Sequence, residues 1–183
     1  SIGPLGIKIE PWGPTSMEEA EEIFREQAAA LAEGGVDVFI LETFSDIHEI
    51  HQALKAVRSV SGLPVIAEMT IGEDGNSLYG TTPEVFTHML EEWGADVVGL
   101  NCSVGPAIML QSVERMSRVT RLPLSAMPNA GMPREVEGRN IYLCSPEYLA
   151  EYAKRFILNG VKVLGGCCGT TPAHIKAMRG AIR

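Results

Sequence analysis

The sequence predicts an α/β protein with a parallel sheet, built as part of a (β/α)8 barrel. Short apolar runs alternate with segments of helical spacing along the 183 residues. The apolar runs are continuous, which is typical of parallel strands covered on both faces. Polar residues follow these runs at the same end each time. This distribution favours a barrel, where such ends meet at one mouth, over a doubly wound open sheet.

The first elements have clear boundaries. A capping-box pattern, SMEE at residues 16–19, begins a helix that we expect to continue to residue 32. The pair Gly34-Gly35 ends it, since glycine is common just past a helix. The apolar run 36–42 then forms a strand ending in Glu42, and a helix follows over residues 46–60.

The remaining units repeat this order. The strand 63–69 leads to a helix that begins at Pro83, because proline is favoured at the first helical position, and ends before Gly94. Residues 132–144 are predicted to be the longest irregular stretch, a loop over the barrel mouth. The later strands are predicted at 96–102, 122–127 and 161–164, and the later helices at 106–119, 145–159 and from Pro172.

The unit count predicts an incomplete barrel. Residues 1–4 resemble the end of a further strand, so the chain holds about six strand-helix units, whereas eight units need roughly 250 residues. We therefore expect residues 1–183 to be one domain, a partial barrel without its first two units.

Composition excludes several classes of partner. The net charge is −8 and the pI is near 5.0, with no run of basic residues, which argues against nucleic acid. No apolar run approaches the length of about 18 residues that a membrane span requires. No secretory signal is visible, so the expected location is cytoplasmic.

Three cysteines are candidate metal ligands. Cys102 follows one predicted strand, and Cys167 and Cys168 follow another within the motif GGCCGTTP at 165–172. Three thiolates with one open position are typical of catalytic zinc. Such a centre is electron-rich and favours binding and deprotonation of a substrate thiol over activation of water. Alternatively, Cys102 is a buried apolar residue and the pair is a turn or a redox pair.

Other polar residues are weaker candidates. Glu68, within an apolar strand, has either a function at the barrel mouth or a structural partner. The segment 169–172 at a helix start offers an anion site. For the rest, the sequence favours structural roles: a solvated helix face for His48 and His51, the surface or helix packing for His88, a helix start for His174, and burial for Cys144.

Four motifs together resemble the homocysteine-binding methyltransferase family. They are LETF at 41–44, NCSVGP at 101–106, PNAG at 128–131 and GGCCGTTP at 165–172. The resemblance covers essentially the whole chain in the family's order. The sequence is most similar to the methyltransferase half of bifunctional homocysteine methyltransferase/methylenetetrahydrofolate reductase proteins.

The resemblance implies a TIM barrel that transfers a methyl group to homocysteine, giving methionine. In such proteins Cys102, Cys167 and Cys168 would bind zinc, and the homocysteine sulfur would be the fourth ligand and the nucleophile. Glu42 matches the carboxylate that holds the substrate ammonium group. Asn129, a second expected substrate-binding residue, lies in the loop that borders the metal. The methyl donor would be bound partly or wholly outside this chain, for example by a cobalamin or folate module. The family's first strand, with an Asp-Gly turn, is absent.

Two alternatives stay open from the sequence. One is a phosphate- or anion-binding barrel enzyme whose cysteines bind no metal. The other is a non-catalytic zinc-binding fragment that persists as a homo-oligomer, because its outer strands would be unpaired edges.

Overall fold

The main sheet contains five parallel strands arranged in chain order. The computed structural model describes residues 1–183. Neighbouring strands in the sheet follow one another along the chain, without the reversal of a doubly wound sheet. The strands are β1 (Phe39–Phe44), β2 (Val65–Met69), β3 (Val97–Asn101), β4 (Leu124–Met127) and β7 (Val161–Leu164).

Six helices connect and cover these strands, and most begin at the capping residues that the sequence predicts. Ser16 accepts a hydrogen bond from the Glu19 amide, and Ser145 accepts one from the Tyr148 amide. No helix is both long and apolar enough to cross a membrane. The helices are α1 (Met17–Glu33), α2 (Ile47–Val60), α3 (Pro83–Glu92), α4 (Pro106–Met116), α5 (Pro146–Leu158) and α6 (Pro172–Ala181).

The two faces of the sheet differ in character. On one face, side chains such as Leu41, Ala67 and Leu100 join a core of 30 buried residues shared with the helices. The alternate residues point to the opposite face, as the pleat requires. This second face is the inner wall of the predicted barrel, and it carries the polar residues Glu42, Glu68, Asn101 and Ser125.

The sheet does not close on itself within residues 1–183. On the outer side of β1, Ile2 forms a single parallel bridge with Leu41, as expected of the end of a preceding strand. The outer edge of β7 pairs with no strand. The α/β fold and parallel sheet are confirmed, whereas closure and the number of missing units stay predictions.

Part of the segment predicted to be irregular is a β-hairpin. Strands β5 (Arg134–Val136) and β6 (Arg139–Ile141) pair in antiparallel fashion. The turn residues Glu137 and Gly138 both have positive φ, 51° and 75°, which suits a two-residue hairpin turn. The prediction of irregular structure was wrong because strands this short, exposed along their whole length, show no apolar alternation.

Candidate metal and amino-acid site

The structure brings together the sulfur atoms of Cys102, Cys167 and Cys168. All three Sγ atoms lie within 4.8 Å of one another, and those of Cys102 and Cys168 are 3.7 Å apart. Tetrahedral zinc with Zn–S bonds of about 2.3 Å requires sulfur separations of about 3.8 Å. The donor set and its spacing therefore fit a zinc ion with three thiolate ligands.

A sharp backbone turn positions Cys102 after β3. Cys102 and Ser103 both have left-handed conformations, with φ of 60° and 62°. Such residues cost of order 1–3 kcal/mol each and persist where surrounding contacts hold them. Here the Cys102 amide donates to the Met127 carbonyl at 3.0 Å, and the Cys102 carbonyl accepts from the Val104 amide at 2.7 Å.

The loop after β4 holds the cysteine pair. The Cys167 amide donates to the Pro128 carbonyl at 2.9 Å, and the Cys168 carbonyl accepts from the Ala130 amide at 2.9 Å. Asn129, only 3% exposed, accepts a hydrogen bond from the Cys168 amide through Oδ1 at 3.1 Å. In this structure Asn129 therefore orients the cysteine loop, next to the candidate metal position.

Tyr142 packs against the GGCCGTTP motif at Gly169. Its ring lies against Gly169, where an added Cβ would be 2.2 Å from Cγ of the tyrosine. The pKa of Tyr142 is raised by burial and then by its proximity to Cys168. Gly169 also has a φ of 79°, so two separate constraints favour glycine at this position.

The electrostatics of the cluster oppose thiolate formation without a cation. Burial, followed by hydrogen bonding to Cys102 and the charges of Cys102 and Cys168, raises the pKa of Cys167 to about 12. A divalent metal reverses this balance, because its charge stabilises coordinating thiolates. The chemistry of the three thiols and the distances between their sulfur atoms therefore both suit a zinc ion.

Glu42 lies in the carboxyl-terminal half of β1, on the inner wall of the predicted barrel. Its carboxylate accepts a hydrogen bond from Ser1 Oγ and a long one, 3.5 Å, from Asn101 Nδ2. Asn101 is 1% exposed and also bonds Thr43, accepting from the amide at 2.7 Å and donating to Oγ1 at 2.8 Å. Because Asn101 precedes Cys102, this network ties the carboxylate to the turn that positions one sulfur.

The start of α6 is stabilised by the chain itself. His174 is 7% exposed, and its Nδ1 accepts from the Thr171 amide at 3.1 Å. Nε2 therefore carries the proton and donates to the Cys144 carbonyl at 2.8 Å. This capping arrangement occupies an amide that an anion would need, so the structure does not favour the alternative of an anion site at 169–172.

The other candidates are not members of the sulfur cluster. His51 is half-buried and stacks on Trp93, with ring centroids 3.7 Å apart, so it is not on a solvated face as expected. His88 is exposed and pairs with Glu92. Cys144 is partly buried, and burial raises the pKa of its thiol.

Asn101 and Tyr142 are two site residues whose roles were not predicted from the sequence. Asn101 carried a signal, since it is a polar residue at a strand end directly before a candidate ligand. Tyr142 carried none, because its approach to Gly169 depends on the path of the hairpin.

Next to Ser103, an open cleft of about 520 Å³ is lined by residues after β1, β2 and β3, including Ser45 and Thr70.

The chain is similar to known proteins over nearly its whole length. The family model described as homocysteine S-methyltransferase matches residues 1–182. Methionine synthases from Mycobacterium tuberculosis and Mycobacterium leprae are 35% and 34% identical over 188 residues. These matches cover 100% of this chain, which spans only 16% of each methionine synthase.

Solved structures show the same fold. The apo form of the homocysteine methyltransferase MmuM from Escherichia coli aligns with a TM-score of 0.79 and 23% identity, over 98% of this chain and 60% of MmuM. Its metallated form aligns with a TM-score of 0.75 and 22% identity, over 91% of this chain and 52% of MmuM.

Proposed function

The chain belongs to the homocysteine S-methyltransferase family, and on this premise we propose that it binds zinc and transfers a methyl group to the thiol of homocysteine. The observation that carries the proposal is the convergence of three sulfur atoms within 4.8 Å at the carboxyl ends of the strands. The product would be methionine.

Cys102, Cys167 and Cys168 would hold the metal and leave one position for the substrate. Bound zinc would lower the pKa of the substrate thiol and keep its sulfur nucleophilic. The left-handed turn at Cys102 and the Asn129 bond to the Cys168 amide hold two of the sulfurs in place before the substrate arrives. Such preorganisation lowers the entropic cost of orienting the reacting atoms.

Glu42 would bind the substrate ammonium group. Its carboxylate has only neutral hydrogen-bond partners, Ser1 and Asn101, and can accept a further hydrogen bond from a cation. An amino acid held there by its ammonium group would extend its side-chain sulfur towards the cysteines. Glu42 would therefore act by positioning, and no side chain is assigned as a general base.

The methyl donor would be bound mainly outside residues 1–183. This chain spans 16% of the methionine synthases it resembles, so a folate donor delivered through a cobalamin module is one source. Betaine and S-methylmethionine are others. The cleft beside Ser103 is the side from which a donor could approach the sulfur.

Metal analysis of cysteine variants tests the proposal. The protein should bind about one zinc ion, and Cys102→Ala, Cys167→Ala and Cys168→Ala should each weaken zinc binding by at least tenfold in a chelator competition. Cys144→Ala is the matched control, since Cys144 lies outside the cluster. Homocysteine should then change the sulfur coordination seen by X-ray absorption at the zinc edge.

Two results would contradict the proposal. Zinc affinity that is equal in Cys167→Ala and Cys144→Ala would show that the cluster is not the metal site. Zinc binding that is normal but unaffected by homocysteine would instead support a non-catalytic zinc-binding fragment.

A further inference from the structure

Glu68 is a buried carboxylic acid without a hydrogen-bond partner. It lies on β2 and is 1% exposed. Its Oε1 atom is buried and unpaired. Buried polar groups in proteins are nearly always hydrogen-bonded, and an unpaired one costs about 1–3 kcal/mol. On the inner wall of the predicted barrel, this unpaired oxygen can accept a hydrogen bond from a ligand.

The neighbours of Glu68 on the inner wall provide no cation. Glu68 is paired in register with Gly99 on β3, and Gly99 with Ser125 on β4. The Ser125 side chain covers Gly99, where an added Cβ would lie 1.7 Å from Oγ. The Ser125 hydroxyl lowers the pKa of Glu68 by more than the charge of Glu42 raises it, although the Ser125 oxygen completes no hydrogen bond in this geometry.

The charged group that acts on Glu68 is a second carboxylate. Glu42 on β1 faces it across a bulge in the β1-β2 pairing, while β3 and β4 present the neutral residues Gly99, Asn101 and Ser125. Burial, and to a smaller extent the charge of Glu42, raises the pKa of Glu68 to about 7. A positively charged ligand between the two carboxylates would stabilise both in their ionised form.

We propose that Glu68 is a second carboxylate for the substrate ammonium group, which it binds together with Glu42. This inference rests on the proposed function, since homocysteine supplies the ammonium group. An ammonium has three N–H donors, so a single carboxylate does not satisfy it. When the ligand binds, Glu68 loses its proton to solvent and its carboxylate accepts a hydrogen bond from the ammonium.

Calorimetry with L-methionine tests this role separately from thiol chemistry, because methionine has the ammonium group but no ionisable sulfur. Glu68→Gln should bind methionine about tenfold more weakly at pH 8, since it cannot form a charge-assisted hydrogen bond. At pH 7 the wild-type protein should release part of a proton on binding, measured in two buffers of different ionisation enthalpy. Glu68→Gln should release none.

Two controls test whether the loss of affinity is specific to Glu68 and to the ammonium group of the ligand. Glu26→Gln makes the same chemical change on the exposed face of α1 and should leave affinity and proton release unchanged. The analogue 4-(methylthio)butanoate lacks the ammonium group and should bind wild-type protein and Glu68→Gln equally. In wild-type protein, methionine should also remove the infrared stretch of one protonated carboxylic acid, which requires no variant to fold.

The outcomes distinguish the two proposals. If homocysteine and methionine bind the wild-type protein, but Glu68→Gln has unchanged affinity and proton release, Glu68 has no role in binding and only this inference is wrong. If neither amino acid binds the zinc-loaded wild-type protein, the proposed function itself is wrong, and the role of Glu68 with it.

Discussion

At the scale of single residues, the cysteine motif depends on glycine for steric as well as conformational reasons. Gly169 has a φ of 79°, and the Tyr142 ring occupies the place of a Cβ. Gly160 has a similar φ of 89°, but no atom lies within 4 Å of the corresponding position. Comparing substitutions at the two glycines therefore distinguishes the cost of a left-handed backbone conformation from the cost of a steric clash with Tyr142.

We expect Gly160→Ala to lower the free energy of unfolding by about 1–2 kcal/mol, the cost of a left-handed alanine. Gly169→Ala should lower it by about a further 1–3 kcal/mol, because the methyl group meets the tyrosine ring. Urea unfolding of both variants measures the difference, and adding Tyr142→Ala should abolish the extra loss. Equal losses in the two single variants would contradict the close packing of Tyr142 on Gly169.

At the scale of elements, an ion pair connects the start of α3 with the end of α4. Arg115 donates from Nε and from one terminal nitrogen to the two oxygens of Glu84, both at 2.7 Å. This hydrogen bonding lowers the pKa of Glu84 from its ordinary 4.5 to about 2. Both side chains are about a third exposed, so solvent limits the contribution of the pair to about 1 kcal/mol or less.

The contribution of the ion pair to the free energy of unfolding should decrease at low pH. Because the pKa of Glu84 is depressed in the folded state, its contribution is complete above about pH 4.5 and is lost as the pH falls towards 2. Glu84→Gln should therefore lower the urea midpoint at pH 7 but not near pH 2. Glu114→Gln on α4 is the control. A deficit of the same size at both pH values would show that the Glu84 charge is not responsible.

Element positions were predictable where their causes are local. The starts of α1, α3 and α5 depend on Ser16, Pro83 and Pro146, whose effects act within one helical turn. Strand β1 begins at Phe39 and not at residue 36, because pairing with β2 begins there. The local sequence pattern does not show at which residue pairing between two strands begins.

The candidate site was predictable to a similar extent. Parallel strands bring their carboxyl ends together, so the approach of Cys102 to Cys167 and Cys168 followed from the order of elements. The hydrogen bonds of Asn101 and the missing partner of Glu68 depend on strand register. Register is set by packing across the sheet and is not visible in one sequence.

At the scale of the whole molecule, the sheet has two edges that a closed barrel would join. The outer side of β1 is covered only by the bridge from Ile2, and the outer edge of β7 is unpaired. The MmuM structure that shares this fold is longer, since this chain covers 60% of it. Within residues 1–183 the sheet is therefore open at both edges, and closure of the barrel stays a prediction.

Residues 1–183 produced as a separate protein should therefore self-associate through these edges, since unpaired strands offer free backbone donors and acceptors. Light scattering after size exclusion should give a mass above that of a monomer, 19.8 kDa, that rises with concentration. Val163→Lys places a charge on the β7 edge and should shift the protein towards monomer. Leu158→Lys, which replaces an 84% exposed apolar residue on α5, should not. A monomeric mass at every concentration, combined with cooperative unfolding, would show that the open sheet is stable without closure.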